Sequence, residues 1–420
     1  MIMMIKNLLI IPFISFSIGI TKAQVTNVLF IGNSYTYVND LPTMIRSIAI
    51  SFGDILTKDQ STAGGSSLNS HTTNTTTLSK MALGTWNYVV IQAQSQEPSF
   101  PPSQVASQTY PYAKILVDSI RSANPCSEPV FFMTWGRKNG DASNCASYPP
   151  ICTYTGMQQR LRESYMEMAD SNKATVAPVG VAWKTVRDSF PLIELYQPDE
   201  SHPSIYGSYL AACVFYATLY KKSPIGTSYI PSGINATDAL NLQTIASHTV
   251  LDSLTQWRVD ANKPFAGFNY SGGGTINFTN TSVNGVTYFW DFGDGNSSTN
   301  ENPNNTYINN GIYPVQLIVY THDSCYADTL TQNITITTAS IDNINNRHNV
   351  IIYPNPTSNF MEVKSEIEYN SIIISDITGK IIKTLDQHPT KIDVSDLRKG
   401  VYLIQLIGDK EILTRKFIKN

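Results

Sequence analysis

The chain has 420 residues, 42% of them hydrophobic and 15% charged, with a formal net charge of −3. That balance excludes a disordered chain, and without a basic stripe nucleic acid is not an expected partner. At roughly 150 residues per domain, the length suits two or three domains.

The first 23 residues read as a signal peptide. Lys6 supplies the positive region, Leu8 to Ile20 the apolar run, and Thr21-Lys22-Ala23 a small-residue cleavage site before Gln24. An uncleaved anchor helix is the alternative, although the run is short for a membrane span. Residues 24–262 then alternate short apolar runs with helical patterns. Val28 to Ile31, Tyr88 to Ile91 and Val130 to Met133 read as buried strands. Leu41 to Phe52, Gln104 to Ala123, Arg160 to Asp170, Ile205 to Tyr220 and Ala239 to Val259 read as helices. Strands and helices in this alternation predict a parallel sheet covered on both faces.

The pattern changes at Asn262-Lys263-Pro264. Residues 263–338 show β-branched and aromatic alternation without a helical period, as in Thr275 to Phe278 and Val315 to Val319. A small β-sandwich is predicted. A polar linker over 339–348 leads to residues 349–420, whose runs Met361 to Val363, Ser371 to Ile374 and Val401 to Leu406 predict a second small β-sandwich.

The five cysteines are Cys126, Cys145, Cys152, Cys213 and Cys325. Export permits disulfides. Cys145 and Cys152 can close a Pro-containing loop, Cys213 lies in an apolar helical run as a buried thiol, and the odd count leaves at least one unpaired. Without a Cys-x-x-Cys motif, a zinc knuckle is not expected, and the serine chemistry described next calls for no metal and no cofactor.

Acyl transfer by serine needs an exposed nucleophile, a histidine base, a carboxylate to orient that base, and donors for the oxyanion. The first strand runs into Ile31-Gly32-Asn33-Ser34, which places Ser34 where strand gives way to helix at the carboxyl edge of the sheet. Its own N–H is one candidate oxyanion donor. Downstream, Asp199-Glu200-Ser201-His202-Pro203 precedes a helix. Asp199 and His202, three apart in a Pro-bounded turn, can meet as orienter and base, with Glu200 as second choice. Taken singly, Gly-Asn-Ser is more often an ordinary turn than a nucleophile, and His-Pro more often a helix start than a base. His71, in a Thr/Asn-rich stretch, is expected to be solvated. Trp135 and Arg137 can contact substrate, or form a rim pair of aromatic ring on guanidinium.

Ser near the start of the domain and Asp-x-x-His-Pro near its end resemble the SGNH (GDSL-like) hydrolases. The family's Gly-Asp-Ser stands here as Gly32-Asn33-Ser34. Its second block resembles Ala63 to Ser67, which implies Gly65 as an oxyanion donor. Its third block, Gly-x-Asn-Asp, is replaced after the third-block strand by Gln92-Ala93-Gln94-Ser95-Gln96. Gln94 falls at the donor position and carries the same amide one methylene further out; Gln92 and Gln96 are the alternatives.

Trp290-Asp291-Phe292-Gly293-Asp294-Gly295, with Asn302-Pro303, Tyr307 and Gly311 to Val315, resembles the PKD domain. Its Asp pair can cap a turn or bind calcium. Tyr353-Pro354-Asn355-Pro356, Asp376 to Lys380 and Leu397 to Tyr402 resemble the type A C-terminal sorting domain of type IX secretion in Bacteroidota. That resemblance implies the type IX machinery as a partner and a secreted or outer-membrane cell-surface location.

The expected fold is therefore an α/β three-layer sandwich with a parallel sheet, SGNH-like and flavodoxin-like, followed by two small β-sandwich domains. The expected activity is ester hydrolysis by Ser34, His202 and Asp199, with Gly65 and Gln94 assisting. An acylated carbohydrate or other small ester is the expected substrate, with carbohydrate O-deacetylation favoured, and the protein is expected to be a monomer. The alternatives are an inactive glycan-binding surface protein and a lipase or thioesterase.

Overall fold

The computed structural model describes residues 25–322, 324–337, 350–365, 368–386, 389, 391–408 and 412–420. The expected signal segment 1–23 and linker 339–348 lie outside the described residues. The chain divides into two compact units, the first ending at Ile336 and the second beginning at Thr337.

The first unit opens with β1 (Val25–Ile31), α1 (Ser34–Tyr37), α2 (Leu41–Ser51), β2 (Ile55–Ser61), α3 (Leu68–Thr73), α4 (Thr75–Ala82) and β3 (Tyr88–Ile91). It continues with α5 (Pro102–Gln108), α6 (Tyr110–Ala123), β4 (Glu128–Phe132), α7 (Tyr154–Asn172), β5 (Thr175–Ala177), α8 (Val179–Ser189), α9 (Ile205–Tyr220) and α10 (Ala236–Leu251). The five strands are parallel in the order β2-β1-β3-β4-β5. Successive side chains of a strand point to opposite faces. Val28 and Phe30 accordingly enter the core under α2, α8, α9 and α10, while Leu29 and Ile31 enter the core under α3, α4, α6 and α7. Both faces of the sheet are covered, and the architecture is the three-layer α/β one expected.

Several elements differ from the sequence expectation. Gln104 to Ala123 is two helices, because Pro111 cannot donate an N–H inside a helix and the chain breaks at Thr109. The last helix stops at Leu251 instead of Val259, and the segment after it proceeds in turns. Strands β2 and β5 carry no sequence signal. β2 is an edge strand burying only Leu56 and Ser61, and β5 has 3 residues.

An antiparallel β-sandwich completes the first unit: β6 (Phe268–Gly272), β7 (Thr275–Asn280), β8 (Thr287–Asp291), β9 (Ser297–Ser298), β10 (Asn304–Thr306), β11 (Gly311–Tyr320) and β12 (Ala327–Ile336). Its sheets run β10-β7-β6 and β12-β11-β8-β9. Trp290, fully buried, packs against Phe268 and Phe278 between them. Asp291 accepts from the Gly293 N–H, and Asp294 accepts from the Asn296 N–H and from Asn305 Nδ2 at 2.7 Å. Both carboxylates thus serve the turn.

A disulfide between Cys126, after α6, and Cys325, between β11 and β12, fastens this sandwich to the α/β part. Asn284 Nδ2 adds bonds to the carbonyls of Ala261 and Lys263. Cys145 and Cys152 form the second disulfide, and Cys213 is the buried free thiol.

The second unit holds β13 (Val350–Tyr353), β14 (Phe360–Ser365), β15 (Ser371–Asp376), β16 (Ile381–Leu385), β17 (Lys391–Asp393), β18 (Gly400–Ile407) and β19 (Ile412–Lys419). Two antiparallel sheets, β13-β14-β17 and β16-β15-β18-β19, enclose Met361, Ile372, Ile374, Ile404, Leu406 and Phe417.

The Cys126–Cys325 bridge closes a sequence separation of 199 residues. Its removal should cost about 5 kcal/mol of stability by the loop-entropy argument. Urea unfolding of a Cys126→Ser, Cys325→Ser variant should show a lower midpoint than wild type; an unchanged midpoint would show that the bridge does not hold the unit together.

Candidate active site

The site forms at the carboxyl edge of the sheet, where β1 turns into α1. Gly32 makes the turn possible: a Cβ there would stand 2.6 Å from both Gln92 Oε1 and Thr36 Oγ1. Asn33 follows as the N-cap of α1, its Oδ1 accepting from the Tyr35 N–H at 3.1 Å. Asn33 and Gln92 are paired reciprocally. The Asn33 N–H donates to Gln92 Oε1, and Gln92 Nε2 donates to Asn33 Oδ1, both at 2.9 Å. Asn33 Nδ2 also donates to the Ser66 carbonyl at 3.0 Å, tying the 63–67 turn to the start of α1. An ionised Asp has no hydrogen to donate, so the amide at this position has a direct physical reason.

Ser34 is the first residue of α1. Its Oγ lies 2.9 Å from His202 Nε2. His202 Nδ1 is hydrogen-bonded to Asp199 Oδ2. Asp199 Oδ1 accepts from the N–H groups of Ser201 and His202 at 3.1 and 3.0 Å, which folds the segment into a turn. Burial pushes the Asp199 carboxyl up, but the His202 ring and these two N–H groups outweigh it and hold the carboxyl below its ordinary range. The carboxylate fixes the tautomer: Nδ1 carries the hydrogen and donates to Asp199, leaving Nε2 to accept from the Ser34 hydroxyl. The carboxylate that meets the ring is that of Asp199, while Glu200 points to Asn139.

The turn is held from below. Tyr35 stacks on Trp135 at 4.7 Å, and Trp135 stacks on Trp183 at 3.9 Å. The Tyr35 hydroxyl meets Ser201 Oγ at 2.7 Å, and Trp135 Nε1 donates to the Ser201 carbonyl at 3.0 Å. Burial raises the Tyr35 pKa, so the phenol stays neutral. Trp135 is fully buried. This corrects both readings of Trp135: it is neither a substrate contact nor a rim partner of Arg137. It carries the catalytic-loop candidate, and Arg137 pairs with Asp141.

The remaining expected residues are placed as follows. Gly65 sits exposed in the tethered 63–67 turn at φ +70°, a left-handed conformation suited to glycine. Among the described residues, the N–H groups of Ser34 and Gly65 make no internal hydrogen bond. Gln94 Oε1 accepts from the N–H groups of Gln96 and Glu97, which turns its amide NH₂ outward with a single weak contact, 3.4 Å to Gln96 Oε1. Gln92 donates to Asn33 and Ala93, and Gln96 donates to Asp141. Among the described residues, Gln92 has both amide hydrogens committed, whereas Gln94 and Gln96 each keep one free, and Gln94 makes no hydrogen bond to Ser34 or His202.

His71 corrects the sequence expectation. It is buried; its Nε2 donates to the Gly32 carbonyl at 2.9 Å and its Nδ1 faces Thr77 Oγ1 at 2.8 Å. Its Thr/Asn-rich neighbours suggest a surface stretch, but Thr77 is buried against the ring and Asn74 caps α4. Asn39 was also missed: at φ 56° it donates through Nδ2 to the Pro203 carbonyl and to Ser208 Oγ, clamping the far end of the turn.

Residues 270–337 match the family model of the PKD domain, and residues 351–420 match that of the Secretion system C-terminal sorting domain. The sorting domain marks the protein as exported through that machinery. No curated protein matches the chain. Among solved structures, a DUF4886 family protein from Bacteroides uniformis is similar at 19% identity, covering 54% of this chain and 95% of its own, with TM-score 0.47. A candidate SGNH hydrolase from Slackia heliotrinireducens is similar at 26% identity over 46% of this chain and 98% of its own, TM-score 0.37. A mutant of Axe2, an acetyl-xylooligosaccharide esterase from Geobacillus Stearmophilus, is similar at 13% identity over 50% and 98%, TM-score 0.34. The chain thus joins an α/β part similar to SGNH hydrolases with a PKD domain and a sorting domain.

Burial lowers the His71 pKa. Below the unfolded value near 6.5, the unfolded chain takes up a proton that native His71 resists, so stability falls as the pH falls through that range. His71→Leu should lower the unfolding free energy from urea titration at pH 7 by about 1–3 kcal/mol, since the Gly32 carbonyl loses its partner. It should also flatten the decline between pH 7 and pH 5. A variant with the wild-type pH profile would show that His71 does not hold the turn.

Proposed function

We propose that the protein is an exported serine esterase, a carbohydrate O-deacetylase of the SGNH type. The observation that carries this reading is the unbroken hydrogen-bond line from Asp199 through His202 to Ser34 at the carboxyl edge of the sheet.

The residues divide the work as that line suggests. Ser34 Oγ attacks the acyl carbon while its proton passes to His202 Nε2. Asp199, held ionised by its hydrogen bonds, stabilises the imidazolium that forms. The N–H groups of Ser34 and Gly65 and the NH₂ of Gln94 receive the developing oxyanion; donors fixed in advance give the larger share of such stabilisation. His202 then returns the proton to the leaving alcohol as the C–O bond breaks. A water activated by the same nitrogen releases the acid. The sorting domain places the enzyme where acetylated glycans are met, which is what favours an acetyl ester as substrate.

With 4-nitrophenyl acetate and the full chain, wild type should turn over. Ser34→Ala and His202→Ala should each fall by roughly a thousandfold or more, with circular dichroism showing an intact fold. Equal trace activity in all three proteins would remove Ser34 from the role of nucleophile.

A further inference from the structure

Beside His202 a cavity of about 380 Å³ opens, walled by Arg137, Asn139, Ser143, Glu200 and the edges of Asp199 and His202. That volume lies in the range of small-ligand sites. Its lining is polar, and Ala142 is the largest apolar side chain on its wall. Ser34, Gly65 and Gln94 do not line it, so it lies on the base side of the triad and away from the oxyanion donors. That position has a chemical meaning. When the acyl C–O bond breaks, its electron pair goes to the alcohol oxygen, and that oxygen takes the proton from His202 Nε2. The rest of the leaving alcohol must then spread over the surface next to His202.

Glu200 is built into this wall. It stands at φ +59°, a conformation that side chains other than glycine rarely adopt. The Lys138 N–H holds its carbonyl at 2.9 Å, and Asn139 Nδ2 holds Oε2 at 2.8 Å. Oε1 has no partner among the described residues. Arg137, also in the lining, is anchored by a single side-chain bond from Nη1 to Asp141, and its Nε is buried without a partner among the described residues. A carboxylate and a guanidinium on one polar lining, with no apolar side chain larger than alanine, suit a polyhydroxylated alcohol: hydroxyls donate to the carboxylate and accept from the cation.

We infer that this cavity is the leaving-alcohol subsite and that Glu200 is a specificity residue selecting a sugar-like polyol over an aliphatic alcohol. The inference rests on the esterase reading above. Residues held in left-handed backbone conformations collect at functional sites, and a turn needing only a bend at this position would be served by glycine or asparagine.

The test compares kcat/KM of the full chain for mono-O-acetylglucose and for butyl acetate, whose leaving alcohols differ in hydroxyl content. Wild type should prefer the sugar ester. Glu200→Gln keeps the shape and should lower that preference by about tenfold or more, the usual cost of losing a charge-assisted hydrogen bond. Ser143→Trp, which fills the cavity from its rim without touching the turn, should lower it likewise. A preference unchanged in both variants, or a fall of both substrates together, assigns Glu200 to the turn alone and overturns the inference. Hydrolysis of 4-nitrophenyl acetate without preference for the sugar ester overturns the subsite and leaves the esterase standing. Turnover of no ester removes the esterase reading and the subsite with it.

Discussion

The site depends on the hydrogen bonding of one buried amide, that of Asn33. Three backbone segments converge on it: the end of β1, the end of β3 through Gln92, and the 63–67 turn through Ser66. Its Oδ1 accepts from both the Tyr35 N–H and Gln92 Nε2. The N–H and Oδ1 are committed to Gln92 and the cap of α1, and Nδ2 to Ser66. A buried amide with all groups matched fixes geometry, since leaving any one unpaired is costly in a site of low polarity. Ser34 inherits its position from that arrangement, as does the Gly65 N–H.

The opposite half of the site, the turn from Asp199 to Pro203, is held by other means. Asp199 folds the turn through two backbone N–H groups, and the Tyr35–Trp135–Trp183 stack supports Ser201 from beneath. Tyr35 follows Ser34 directly in sequence. The same short segment therefore supplies the hydroxyl that meets His202 and the ring that supports its loop. His71 and Asn39 close the frame at the Gly32 carbonyl and at Pro203. Functional sites are most exact when their side chains are locked by packing and by such supporting bonds.

Much of this was legible in the sequence because it rests on local pattern. Continuous apolar runs mark β1, β3 and β4, and α9, buried from Gly207 to Tyr220, agrees to the residue with its sequence span. The residues Gly32 to Ser34 and Asp199 to Pro203 can be read because turn chemistry and spacing restrict what they do. The supporting frame was not legible, because it depends on pairings between distant segments. His71 looks solvated among threonines until α3 and α4 fold its ring against Gly32. Trp135 looks like a rim aromatic until α8 brings Trp183 under it. The pairing of Cys126 with Cys325 joins parts of the chain that sequence spacing cannot connect. β2 and β5 fail for the opposite reason: an edge strand and a very short one need little apolar material.

Catalysis by this site requires that Ser34 be an activated nucleophile. Incubation of the full chain with a fluorophosphonate, followed by peptide mapping in a mass spectrometer, addresses this without any assumption about the natural ester. A single adduct on Ser34 that is lost in His202→Ala is the result this structure predicts. Labelling at another serine, or none at all in the folded protein, would contradict it.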